Sequence, residues 1–204
     1  MFRQIVTELR RHAPFTAFGA LTGIVIMVII ILGSVLPQVS KVSPIFFYIL
    51  HPTHVFLSAI VTTAMYKLHR PKCRVLVAVA IGYIGSIGIA TLSDSIIPYI
   101  GESLLNLPNR GIHIAFVEKP LLTNPVSFLG IAVGFLRPTT KFPHFGHVFI
   151  STWASLFHII MAIGQTINWI VIVAIFLFLF LAVWIPCCTS DIVFPLLFVK
   201  KGSN

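Results

Sequence analysis

The sequence predicts an all-α fold: a polytopic membrane protein, a six-transmembrane-helix bundle with both termini cytoplasmic. Three observations predict it. The 204 residues are 57% hydrophobic and only 9% charged, whereas soluble domains carry about 25% charged residues. The mean hydropathy of +1.01 lies far above the soluble range. The basic residues, finally, cluster on alternate connections between apolar runs. Arg3, Arg10 and Arg11 precede the first run. Lys67, Arg70, Lys72 and Arg74 lie between the second and third, Arg137 and Lys141 between the fourth and fifth, and Lys200 and Lys201 after the sixth. The opposite side holds only Lys41, Arg110 and Lys119. By the positive-inside rule the heavily basic side is cytoplasmic.

A membrane-crossing helix needs roughly 20 apolar residues. The six runs are 15–36, 44–66, 74–97, 122–136, 145–164 and 166–187. The first is too long for a signal h-region and lacks a small-x-small cleavage site, so it is expected to remain as a span. It carries Gly19-x-x-x-Gly23, a spacing that lets helices approach closely. The second contains His51-Pro52-Thr53-His54, one turn of helix with two imidazoles and a proline. The third carries Gly82, Gly85 and Gly88 and ends in Ser93-Asp94-Ser95. Residues 98–121 follow as an outer interfacial loop, interrupted by Pro98, Pro108, Gly111 and Pro120. The fourth run is short, and carries Gly130-x-x-x-Gly134. The fifth has His147, Ser151, Ser155 and His158 at helical spacing. The sixth, with its alternating Phe and Leu, reads as a lipid-facing peripheral helix. The whole chain is expected to form one integral membrane domain, 1–204, located in the cell membrane.

The net charge of +9 is a topological signal and a contact with anionic headgroups of the lipid bilayer. Nucleic acid is not an expected partner. Cys73, Cys187 and Cys188 all fall on the side expected to be cytoplasmic, where thiols stay reduced. They are expected as free interfacial thiols; Cys187 and Cys188 also have the position of a palmitoylation site or a metal-thiolate pair.

Ionisable groups in a span cost several kcal/mol unless paired, hydrated or metal-bound. Counted at about 1.5 Å per residue from the expected span ends, His51, His54, Asp94 and His158 share the outer half of the membrane. His51, His54, Ser58 and Thr62 form one polar stripe on the second span, and His147, Ser151, Ser155 and His158 another on the fifth. Lipid cannot satisfy either stripe. Pro52 removes one backbone donor and frees the carbonyl near Tyr48. Three imidazoles and a carboxylate suit a divalent transition metal such as Zn, Fe, Mn, Co or Ni. The candidate metal ligands are therefore His51, His54, Asp94 and His158, with His113, Glu118, His144 and His147 as secondary candidates. The alternative for each histidine is a hydrogen bond to a neighbouring helix. His12 and His69 read as headgroup contacts, and Asp191 as the cap of a short interfacial segment.

Three functions fit this pattern. A permease for a divalent transition metal would use the polar stripes as a path, with a homodimer as the arrangement that encloses it. A membrane-embedded metal-dependent enzyme would act on a lipid-like substrate, with Asp94 or Glu118 as base, although no H-E-x-x-H or G-x-S-x-G is present. A b-type haem protein would use His54 and His158 as axial ligands.

Overall fold

The computed structural model describes residues 2–164, 167–189 and 193–199, with the side chains of 2–9, 11, 12, 141–145 and 188 outside that description. Among the described residues the chain is helical and contains no strand. The helices are α1 (Phe2–Leu32), α2 (Leu36–His69), α3 (Val75–Thr91), α4 (Ile97–Leu104), α5 (Ala115–Glu118), α6 (Pro120–Leu136), α7 (Lys141–Ala162), α8 (Trp169–Cys188) and α9 (Phe194–Leu197). A π-helical turn, Leu92–Ile96, joins α3 to α4 without a break.

Among the described residues, four stretches are long and apolar enough to cross a membrane: Ala13–Leu32, Leu36–His69, Val75–Leu104 and Trp169–Cys187. Two more apolar helices, Pro120–Leu136 and Gly146–Ala162, are shorter. Large apolar side chains face outward all round the bundle, including Ile29, Leu76, Leu121 and Ile170. Water would penalise such a surface, whereas hydrocarbon accepts it.

Helix α2 is the central element and packs on α7, α6 and α3. Its buried positions include Phe47, His51, His54, Val55, Ser58, Ala59, Thr62 and Tyr66, a repeat of three and four residues that keeps one stripe inward. The glycine pairs serve packing inside the bundle. A Cβ at Gly130 would lie 2.5 Å from the Phe56 carbonyl oxygen, and one at Gly134 2.5 Å from that of Ile60. Only hydrogen at those positions lets α6 lie against the α2 backbone. On the other flank, Gly19 and Gly23 of α1 lie against Thr152 and Leu156 of α7. Helix α8 starts at an Asn168 cap, whose Oδ1 accepts from the Val171 N–H at 2.9 Å. It exposes Ile170, Val173, Leu177, Leu181 and Ile185 while burying Ile175, Leu179, Val183 and Cys187.

Two element boundaries differ from the sequence expectation. Helix α2 starts at Leu36 rather than near 44, because Pro37 fits a first helical turn and Pro44 and Pro52 are both carried inside the helix. The helix after Asp94 runs on to Leu104 instead of ending near 97, so the outer connection is shorter than 98–121. Pro98 does not stop it, since it stands in the first turn after the π-helical turn.

Candidate metal centre

The site begins at the π-helical turn. Ile97 donates its N–H to the Leu92 carbonyl, five residues back, and the widened turn buries Ser93, Asp94 and Ser95 completely. Such turns recur at functional sites. Asp94 is satisfied on both oxygens. Its Oδ2 accepts from His54 Nδ1 at 2.7 Å and from His51 Nδ1 at 3.0 Å. Its Oδ1 accepts from Ser93 Oγ at 2.6 Å and from Ser151 Oγ at 2.7 Å. An ionised carboxylate only accepts, so both imidazoles carry a proton on Nδ1. The pairing therefore turns the Nε2 of each ring away from Asp94.

Three helices meet at the far side of His54. Its ring lies parallel to that of His147 of α7, with centroids 5.5 Å apart and 5° between planes. Its Nε2 is 3.9 Å from Cys187 Sγ of α8. One ligand atom from each of His54, His147 and Cys187 lies within 4.8 Å of the other two, and all three residues are buried. A tetrahedral zinc ion holds nitrogen at about 2.0 Å and sulfur at about 2.3 Å, which puts those ligands about 3.5 Å apart. The Cys187–His54 contact at 3.9 Å is within half an ångström of that spacing, and every pair in the group lies within 4.8 Å. Asp94 stands behind His54 as the carboxylate that orients a metal-ligating imidazole. Ser151 Oγ links the two parts, 2.7 Å from Asp94 and 3.8 Å from Cys187 Sγ.

A second set of pairs lies along the bundle. His158 Nδ1 is 2.7 Å from Glu102 Oε1, with both side chains buried. Glu102 Oε2 accepts from the Gly111 N–H at 3.2 Å. Beyond it, His113 Nδ1 is 3.7 Å from Glu118 Oε2, both half-exposed. Glu118 also accepts from the Tyr48 hydroxyl and from the Ile114 N–H at 3.3 Å. The fully buried Phe47 ring stands between the two sets. It stacks on His51 at 5.4 Å and meets His158 edge-on at 5.2 Å.

His51, His54 and Asp94 are thus in direct contact, while His158 pairs with Glu102 instead. His147 joins His54, and His113 and Glu118 pair over His158. The side chain of His144 and all of Asp191 lie outside the described residues, as does the side chain of His12. His69 is exposed, and its Nδ1 lies 2.9 Å from the Met65 carbonyl oxygen.

The polar groups are strung along the bundle rather than gathered at one height. His54 is level with His147, and His158 is about 16 Å further along α7 at about 1.5 Å per residue. Two residues of this network, Cys187 and Glu102, are absent from the sequence-derived ligand set. Cys187 sits at the end of an otherwise apolar helix, and only tertiary packing brings it to His54. Glu102 had a signal, lying about two helical turns beyond Asp94.

No family model matches the chain, and no curated protein or solved structure does.

Proposed function

We propose that this protein binds a divalent transition-metal cation between α2, α7 and α8 and carries it across the cell membrane. One observation carries the reading: His54, His147 and Cys187 bring two imidazoles and a thiol together in a buried cluster, backed by Asp94. The thiol favours a borderline or soft ion, Zn²⁺ or Co²⁺ over Mn²⁺. Transport is supported by the polar groups on either side of the triad. Ser58 and Thr62 continue the buried stripe of α2 one way. His51, His158 and the half-exposed His113 continue it the other way.

In this reading α6 and the apolar part of α7 cross with the four longer helices, giving six spans and cytoplasmic termini. Their 17-residue lengths span about 25 Å at 1.5 Å per residue, at the short end of what a bilayer core accepts. The charge asymmetry of the connections supports the direction.

A metal-dependent enzyme acting on a lipid-like substrate is the second reading. It is favoured by a groove of about 400 Å³ between α2 and α6, lined by Tyr48, Pro52, Thr53, Phe56, Leu122 and Leu129. Three protein ligands with a fourth position open also match catalytic zinc. Haem is disfavoured, because His54 stacks on His147 and lies far along the bundle from His158.

The test is metal analysis of purified protein beside His54→Ala, followed by ⁶⁵Zn²⁺ uptake into proteoliposomes. Wild type should hold zinc that the variant lacks, and should accumulate it in vesicles. Equal metal content in the two proteins removes both metal readings. Binding without uptake favours the enzyme.

A further inference from the structure

A buried imidazole nitrogen outside the triad has no partner. Among the described residues His158 Nε2 is enclosed and makes no hydrogen bond, while Nδ1 of the same ring is fixed on Glu102 at 2.7 Å. Burying a polar atom unpaired is costly in either protonation state. The arrangement repeats that of His54: a buried carboxylate holds Nδ1 and presents Nε2 for another use. Next to this ring lies that of His113, with centroids 5.4 Å apart, and Glu118 Oε2 is 3.7 Å from His113 Nδ1. Both are about a third exposed, so the cluster is reached from outside the bundle. Gly111, beneath the His113 ring, would bring a Cβ to 3.3 Å of its Nε2. As glycine it leaves that ring room to turn.

We infer that His158 Nε2, His113 and Glu118 form a second cation station for a divalent transition metal, positioned by Glu102 and separated from the triad by Phe47. Its donors are two nitrogens and an oxygen, with no thiolate, so it suits borderline ions and holds them less tightly than the triad. Among the described residues only the triad is already gathered to within 4.8 Å. The outer donors must close on the ion, which lowers affinity relative to a preorganised site. Phe47 touches His51, His158 and His113 and so forms the floor of this station. As a waiting position on a path, the station rests on the transport reading; its occupancy does not.

The test is Co²⁺ titration of metal-free protein in detergent micelles, counting bound ions by equilibrium dialysis and recording near-ultraviolet and visible spectra. The triad announces itself by a thiolate-to-cobalt charge-transfer band, which the outer station lacks. Wild type should bind two ions, the second about tenfold or more weakly and without growth of that band. His158→Ala should bind one ion and keep the band. Glu118→Gln, a half-exposed change that leaves the buried pair intact, should weaken only the second ion. Cys187→Ser should lose the band and retain the outer ion. Saturation at one ion that carries the band, or unchanged second binding in both His158→Ala and Glu118→Gln, overturns the inference. Absence of the band in wild type defeats the triad instead, and the outer station then stands or falls on whether His158→Ala removes the remaining ion.

Discussion

Asp94→Asn isolates the charge that supports the metal centre while preserving its shape. Asp94 accepts four hydrogen bonds, two from imidazoles and two from hydroxyls. The hydroxyls can rotate and accept from an amide N–H, so the asparagine should turn its nitrogen toward Ser93 and Ser151. Its carbonyl oxygen then still receives both imidazole N–H groups. What is lost is charge assistance. A hydrogen bond to an ionised group is worth about 1.5–3 kcal/mol and a neutral one about 0.5–1.5, a difference of about 1 kcal/mol for each imidazole. Only His54 is a ligand of the triad, so the loss in metal affinity is about 1 kcal/mol, or about fivefold at 1.4 kcal/mol per decade, just under the 10–100-fold cost typical of removing a carboxylate behind a metal-bound histidine. The assay is competition for Zn²⁺ against a chromophoric chelator in detergent, with far-ultraviolet circular dichroism to establish that the variant is folded. A folded Asp94→Asn protein that binds zinc within about threefold of wild type refutes the assignment of Asp94 as the support of His54.

Other consequences follow from the same geometry. Gly134→Ala places a Cβ 2.5 Å from the Ile60 carbonyl oxygen and 3.0 Å from its Cα, both backbone, and should lower stability by about 1–3 kcal/mol. Gly88→Ala meets nothing within 4 Å and serves as the control; equal melting temperatures would contradict the packing account. Cys187→Ser should reduce zinc affinity more than Asp94→Asn, since it removes a ligand rather than its support, while Cys73→Ser should leave affinity unchanged in the same competition assay. Ser151→Ala strips one hydrogen bond from the Asp94 carboxylate and should cost about 1.5–3 kcal/mol, read as a lower melting temperature in detergent.

The helical class, the apolar runs and the polar stripes of α2 and α7 were legible because each depends on local periodicity. The pairing of His51 and His54 with Asp94 was legible for a different reason: an acid and two imidazoles buried in lipid must find each other or water. Cys187 was legible only as half of a thiol pair with Cys188, not as a neighbour of His54. Its helix is apolar throughout, and nothing local distinguishes an interfacial thiol from one swung inward by the packing of α8 on α7. Glu102 was hidden by Pro98 and Gly101, which read as loop punctuation. The bond that Pro98 cannot make is replaced by one from Ser155 Oγ to the Ser93 carbonyl at 3.1 Å, so the helix continues and carries Glu102 inward.

The π-helical turn explains how both acids reach the same neighbour. Asp94 bonds to Ser151 of α7, and Glu102 to His158 of the same helix. Eight residues separate Asp94 from Glu102, but seven separate Ser151 from His158. Regular helices running in the same direction would drift out of register by one residue, turning one acid away by about 100°. The wide turn absorbs the extra residue. It also leaves a defect that the sequence repairs. In a five-residue register Pro98 would donate to the Ser93 carbonyl, and proline has no N–H to give. That carbonyl accepts from Ser155 Oγ at 3.1 Å instead. Ser151 and Ser155, one turn apart on α7, therefore hold the side chain and the backbone of the same turn. The polar stripe on α7 is in part the scaffold that aims Asp94 at His54, and hence His54 Nε2 at Cys187.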